Sequence, residues 1–302
     1  MLVSVILPAR NEAGALADVL TRVRRVCPDA EIIVVDDGST DATPVIAREA
    51  GAKVIRHSYA KGNGAAIKSG AREASGSVFV FMDADGQHAP EDIPRLLARL
   101  DQGFDMVVGA RQRGSQASVG RGLANSIYNR LATAVTGHRI DDLTSGFRAV
   151  RAECFRDFLY LLPNGFSYPT TCTMAFFRAG YSVAYEPIHA ARRIGSSHIH
   201  PLRDGLRFLL IIFKVGTLFS PLKIFVPLSV LLFLIGLGWY GYTYLALARF
   251  TNMSALLMTG AVVIFMMGLI SEQITALMYK DTGRSVGWRD SETEQDNPED
   301  GL

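Results

Sequence analysis

Residues 79–92 read FVFMDADGQHAPED. An apolar run from Val78 to Met82 stops at Asp83-Ala84-Asp85, and Gln87, His88 and two further acids follow at once. Such a run predicts a buried strand. Two carboxylates one residue apart, with an amide oxygen at Gln87, suit a hard divalent cation, Mg²⁺ or Mn²⁺, of the kind that keeps waters and bridges substrate phosphates. A lone Asp-x-Asp is equally well a solvated loop, so its surroundings decide.

Working outward, SVILPA (4–9), EIIVVDD (31–37), KVIRH (53–57), SVFVFMDAD (77–85) and DMVVGA (105–110) are short β-branched or aromatic runs. Helical stretches separate them: EAGALADVLTRVRRV, TDATPVIAREAG, GAAIKSGAREA and PEDIPRLLARLDQG. This alternation predicts an α/β fold with a mostly parallel sheet and right-handed crossovers. Ligands of such sheets sit at the carboxyl ends of the strands. There PARNE (8–12) follows the first strand, Asp36-Asp37-Gly38-Ser39 the second and Asp83-Ala84-Asp85 the fourth. Asp36, Asp37 and Glu12 are placed to hydrogen-bond the base or ribose of a nucleotide. The GNG at 62–64 lacks the spacing of a phosphate loop, and Lys61-Gly62 reads as a flexible turn near the nucleotide.

The C-terminal third is of another kind. Between Lys223 and Arg249 lie 25 residues without a charge, and between Arg249 and Glu272 another 22. Each run exceeds the roughly 20 residues that a helix needs to cross a bilayer. The short ARFTNMS loop makes them a hairpin. Lys223, Lys280, Arg284 and Arg289 flank its outer ends against Arg249 in the loop, which places both termini, and with them the site, in the cytoplasm. Two buried helices of a soluble domain are the other reading. Ahead of the hairpin, Leu202, Leu206, Leu209, Leu210 and Phe213 share a helical face beside a stripe of Arg203, Arg207 and Lys214, the pattern of a helix lying in the membrane interface.

From Asp290 onward the chain carries Asp290, Glu292, Glu294, Asp296, Glu299 and Asp300 with no Lys or Arg. The formal net charge is +2, and setting these six acids aside makes it +8. The body is therefore basic, and the tail is expected to be solvated and disordered. Cys27, Cys154 and Cys172 are scattered without metal-ligand spacing and read as buried thiols of a reducing compartment. MLVSVILPARNE lacks the basic start and long apolar core of a secretion signal. The expected organisation is a catalytic domain over 1–200, interfacial helices over 201–220, a transmembrane hairpin over 221–280 and the acidic tail over 281–302.

PARNE, VVDDGST, KGNGAAIKSG, MDADGQHAPED, VVGAR and DDLTSGFRAV, in this order, resemble the polyprenyl-phosphate glycosyltransferases, the dolichol-phosphate mannose synthase group of the inverting family-two enzymes with a GT-A (Rossmann-like) fold. The resemblance covers about residues 1–215. It implies that Pro8, Arg10, Glu12, Asp36 and Asp37, with Asp83 and Ala84, contact the nucleotide, and that Asp83, Asp85 and Gln87 hold Mg²⁺ or Mn²⁺ on the donor diphosphate. It further implies that Arg111, Arg121, Arg192 and Arg193, assisted by Asn125 and Ser197, surround the lipid phosphate, so that Asp85, Arg111, Arg121 and Arg193 carry the catalysis. Where many relatives have Ser-Lys, this chain has Ser197-His198. A zinc site at His189, His198 and His200 is the poorer reading, with no Cys nearby and an Asp-x-Asp available.

The acceptor's chemistry points the same way. A phosphate monoester, with a second pKa of about 6, is already largely dianionic at neutral pH and needs cationic positioning rather than a general base. GARQRGSQASVGRG offers Arg111, Arg113 and Arg121 for bidentate contacts. A solvated basic loop is the plainer reading of that stretch, and without interleaved aromatics nucleic acid is a poor fit. The implied partners are a nucleotide sugar, dolichyl or undecaprenyl phosphate and the bilayer, with a homo-oligomer permitted by Gly236, Gly238 and Gly241. Two alternatives stand beside this: a non-catalytic membrane adaptor, and a processive polysaccharide synthase. The latter should carry Gln-x-x-Arg-Trp, and neither Trp239 nor Trp288 sits in that motif.

Overall fold

The computed structural model describes residues 2–111, 129–130, 132–133, 136–165, 167–189, 213, 216–217, 219–249 and 251–279. Of the expected interfacial segment over 201–220, residues 213, 216–217 and 219–220 are among these, and the rest of it and the acidic tail lie outside them.

Five strands and four helices alternate as the sequence predicts: β1 (Val3–Ala9), α1 (Leu16–Val26), β2 (Glu31–Asp36), α2 (Thr43–Glu49), β3 (Lys53–Arg56), α3 (Asn63–Glu73), β4 (Val78–Phe81), α4 (Ile93–Asp101) and β5 (Met106–Arg111). After them come β6 (Arg148–Arg151), α5 (Ala152–Arg156), α6 (Tyr168–Arg178) and β7 (Val183–Ile188). The sheet order is β3-β2-β1-β4-β6-β5-β7. β6 is the antiparallel member, with Val150 opposite both Phe79 of β4 and Met106 of β5. The other pairs run parallel, which brings the carboxyl ends of β1, β2, β3 and β4 to one edge.

Side chains alternate across the sheet with period two. Ile6, Ile33, Val35, Phe79, Phe81 and Val108 enter one buried cluster with Ala66 and Ile67 of α3 and with Phe176 of α6. Val5, Leu7, Val34, Val80 and Ala149 enter the other, with Leu16, Val19, Leu20 and Val23 of α1 and Ile93, Leu96 and Leu100 of α4. Those helical positions repeat at three and four, the stripe that one helix face presents to a core. Pro44 and Pro94 fall in the first turns of α2 and α4, where a missing N–H costs nothing.

Two long helices follow, α7 (Leu222–Leu247) and α8 (Asn252–Met278), each long and apolar enough to cross a membrane. Between them Ala248 takes a left-handed φ of 47°, and Thr251 caps α8 by accepting the Ser254 N–H at 3.4 Å. The helices pack through small residues. A Cβ at Gly268 would lie 2.7 Å from Phe225 Cβ, and one at Gly236 3.0 Å from Leu257 Cβ. Gly238 and Gly241 have open space where a Cβ would be. Thr243 and Thr275 are buried and return their hydroxyl hydrogens to Trp239 O at 3.0 Å and Ser271 O at 2.9 Å, which satisfies them within their own helices.

The hairpin is joined to the sheet domain at its second helix. Arg178 Nη2 lies 2.8 Å from Glu272 Oε1, and Tyr160 donates to Met278 O at 2.7 Å. The Tyr279 ring sits 6.4 Å from Phe158 and 5.9 Å from Phe219.

Candidate active site

The loops after β1 and β2 are stitched together backbone to side chain. Asn11 N–H donates to Ser39 Oγ at 3.0 Å, Thr40 N–H to Asn11 Oδ1 at 2.9 Å and Glu12 N–H to Thr43 Oγ1 at 2.9 Å. Asn11 adopts φ 56°, a left-handed conformation that asparagine tolerates. Pro8 is half-buried in β1, and Arg10 is exposed at the mouth of this edge.

Asp36 is fully buried. Its Oδ1 accepts the Ser39 N–H at 2.8 Å, and its Oδ2 lies 3.2 Å from Arg56 Nε, within ion-pair distance though off the hydrogen-bond direction. Asp37 accepts from Lys61 N–H at 2.7 Å, Gly62 N–H at 2.8 Å and His57 Nδ1 at 2.8 Å. Burial alone would raise its pKa, but these three bonds outweigh it and hold the carboxyl below the usual range. The Lys61–Gly62 turn is thus pinned by a buried carboxylate. Gly62, at φ 104°, also passes so close to the Asn164 carbonyl that no Cβ fits.

Asp83 and Asp85 leave β4 at the same edge. Asp85 Oδ1 accepts the Gln87 N–H at 3.0 Å, and Gly86 turns the chain with φ 74°. A Cβ at Gly146 would stand 3.3 Å from Asp83 Oδ2 and 3.4 Å from Tyr168 Oη, so the TSGFR segment closes directly over Asp83. Burial, with the Asp85 charge adding to it, pushes the Asp83 carboxyl up, while His88, a hydrogen bond from Asn63 and Arg111 pull it down. Two neighbouring half-buried carboxylates fit a divalent cation, which would relieve both the desolvation cost and the repulsion. Among the described residues no three His, Cys, Asp or Glu side chains converge. A cation here would take its remaining ligands from Gln87, water and donor oxygens.

Arg111, at the end of β5, is locked to Asp142 by two parallel bonds, Nε to Oδ2 at 2.8 Å and Nη2 to Oδ1 at 3.0 Å, and reaches Thr144 Oγ1 at 2.5 Å. Burial would raise the Asp142 pKa, but the Arg111 guanidinium and the Thr144 N–H bring it below the ordinary value. A carboxyl held ionised in this way is a counter-ion and a poor proton acceptor. Arg121, Asn125, Arg192, Arg193, Ser197, His198 and His200 lie outside the described residues, and His189 is exposed beyond β7.

Three residues of this edge escaped the sequence reading. His57 ends the third run, level with the acids of the second, and that position was the available signal. Asn63, in the GNG, hydrogen-bonds Asp83. Arg148 of TSGFR is fully buried, donating to Ser145 O at 2.5 Å and Pro169 O at 3.1 Å, with its guanidinium 5.9 Å over the Tyr168 ring.

Residues 4–159 match Glycosyl transferase family 2, and residues 220–277 match the GtrB C-terminal hairpin. The chain belongs to glycosyltransferase family 2. This glycosyltransferase is 33% identical over 207 residues to the undecaprenyl-phosphate 4-deoxy-4-formamido-L-arabinose transferase of Proteus mirabilis, covering 65% of this chain and 62% of that one, less than two thirds of that relative's length. It is 34% identical over 209 residues to the polyprenol monophosphomannose synthase of Mycolicibacterium smegmatis, covering 63% of this chain and 77% of that one. With the dolichyl-phosphate hexose transferase of Haloferax volcanii it shares 31% over 204 residues, 67% of this chain and 88% of that one. In fold it is similar to the crystal structure of glucosyl-3-phosphoglycerate synthase from Mycobacterium tuberculosis with Mn²⁺, UDP and phosphoglyceric acid, with a TM-score of 0.57 at 22% identity over 71% of this chain and 78% of that one. The mostly parallel sheet with its antiparallel β6 is accordingly a GT-A-like domain.

Proposed function

We propose that this glycosyltransferase moves a hexose from a nucleotide-diphosphate sugar, of the GDP-mannose or UDP-glucose type, to polyprenyl phosphate, with inversion at the anomeric carbon. The observation that carries the reading is the tether: the domain bearing Asp83 and Asp85 is joined through Arg178–Glu272 and Tyr160–Met278 to a hairpin of membrane-spanning length. The three relatives named above, all polyprenyl-phosphate sugar transferases, support the same acceptor.

In this reading Asp83, Asp85 and Gln87 hold Mg²⁺ or Mn²⁺, which when bound neutralises charge on the departing diphosphate. Pro8, Arg10, Glu12 and Asp37 form the nucleotide side. Asp36, committed to Ser39 and Arg56, shapes the loop rather than reaching the ligand. Arg111, with Nε and Nη2 held by Asp142 and Thr144, meets the acceptor phosphate through Nη1, together with Arg121, Asn125, Arg192, Arg193 and Ser197. The nucleophile arrives ionised, so no side chain has to remove a proton. Both termini and the site face the cytoplasm, as the flanking Lys and Arg direct.

The test is transfer from labelled UDP- and GDP-sugars to undecaprenyl phosphate in membranes containing the full chain. The expected product is an acid-labile lipid-linked sugar whose formation EDTA stops. A growing polymer would instead identify a processive synthase, and no turnover of any donor an adaptor. Arg121→Ala is expected to raise the acceptor KM while nucleotide affinity, read by calorimetry, stays put. The reverse pattern would move that arginine to the nucleotide site.

A further inference from the structure

The loop between β3 and α3 is clamped to the end of β2 from two directions. A Cβ at Gly38 would lie 2.9 Å from both Ala60 N and Tyr59 C, and Asp37 takes the N–H groups of Lys61 and Gly62. From inside, His57 Nδ1 lies 2.8 Å from Asp37 Oδ1 and His57 Nε2 lies 2.9 Å from Ser69 Oγ on α3. His57 is 6% exposed and Asp37 5%. An ionised carboxylate can only accept, so Nδ1 carries a proton toward Asp37, and Nε2 shares the second hydrogen bond with the Ser69 hydroxyl. One line of hydrogen bonds therefore runs from Ser69 of α3 through His57, just past β3, to the carboxylate at the end of β2.

The same three groups could activate a serine nucleophile. Ser69, however, lies past the first turn of α3, where neighbouring N–H groups are committed to the helix and none is left to hold an oxyanion. The line ends instead on a carboxylate with about four acceptor positions, three of them filled. The fourth suits a ligand N–H or O–H, such as the ring N–H of uracil or guanine or a ribose hydroxyl.

We propose that His57 is a positioning residue for the donor: with Ser69 behind it, it fixes the Asp37 carboxylate and, through it, the Lys61–Gly62 backbone for the nucleotide. This rests on the reading of the carboxyl edge as a nucleotide-sugar site. His57→Phe keeps the ring's volume and removes both bonds, His57→Asn can still reach Asp37 but not Ser69, and Ser69→Ala removes the outer bond alone.

Binding of UDP and of GDP, each with Mn²⁺, is measured by calorimetry on the full chain in detergent. His57→Phe is expected to weaken the nucleotide that wild type binds by about tenfold. His57→Asn should recover most of that loss, Ser69→Ala should cost roughly two- to threefold, and the acceptor KM should not move in any of them. A folded His57→Phe with wild-type affinity overturns the inference, as does an Asn variant no better than Phe, or an acceptor KM that rises in step. If His57→Phe does not fold, wild-type affinity in both His57→Asn and Ser69→Ala overturns it. A wild-type chain that binds neither nucleotide overturns the donor-site reading itself, an outcome distinct from the others.

Discussion

Leu7 in the middle of β1 is wholly hidden, whereas Leu245 near the end of α7 is 87% exposed. The contrast extends to each region as a whole. Ile6, Val34 and Phe79 of the sheet have no accessible surface, while Leu231, Leu234 and Ile235 of the hairpin are each more than half exposed. In water, burial contributes about 25 cal/mol per Å² of apolar surface, and a sleeve of bare leucines would drive aggregation. A helix apolar on every side belongs in a core or in lipid, and α7 and α8 cover only one side of each other. The same residue types thus stabilise the two regions against two different solvents.

The largest effect expected is on chemistry in the sheet domain alone. Asp85→Ala should reduce transfer by at least about a thousandfold, roughly 4 kcal/mol of barrier, with an unchanged unfolding midpoint. Appreciable EDTA-resistant activity in that variant would remove the metal from the reading. Next comes Asp142→Asn, which strips Arg111 of its counter-ion and should cost about 3 kcal/mol of domain stability. The Asp142 pKa is depressed in the folded state, so its contribution is present above the unfolded value of about 3.9 and is lost as pH falls through the folded one. Denaturant titrations below about pH 4 should therefore show a shallower acid loss in the variant than in wild type.

The comparison itself is tested by placing one substitution in both regions. Leu234→Arg should oppose membrane insertion by about 2.5–3.5 kcal/mol, read as the fraction extracted by alkaline carbonate. Val45→Arg, at a similarly exposed site on α2, should change stability by less than about 0.5 kcal/mol. Equal, negligible effects would mean that water surrounds both. Glu272→Gln loses the half-buried pair with Arg178 and should cost about 0.5–1 kcal/mol, well below the effect of Leu234→Arg. A double-mutant cycle with Arg178→Ala checks it, and additivity would show that the pair contributes nothing.

The first five strands, the four helices between them and the hairpin were legible because each carries a run long enough to show its period. β6 was not. Its four residues, Arg148–Arg151, begin with an arginine that only the tertiary context buries, under Tyr168 and against the carbonyls of Ser145 and Pro169. The converging loops were also legible, since strand ends in a parallel sheet share an edge. Which acid does what was not: Asp36 and Asp37 are neighbours in sequence, yet one faces Arg56 and the other His57, a division set by strand alternation and by partners some 20 residues away.

The attachment of Glu272 to Arg178 has a kinetic consequence. Glu272 sits six residues before the end of α8, about 9 Å along the helix axis, so the sheet domain is fastened to the hairpin near that end. Under the proposed function, a lipid acceptor in the bilayer that holds the hairpin reaches the site by lateral diffusion within a plane. Saturation would follow the mole fraction of that lipid in the bilayer rather than its amount per volume. Diluting vesicles with buffer should leave the rate per enzyme unchanged, while diluting the acceptor with inert phospholipid should lower it.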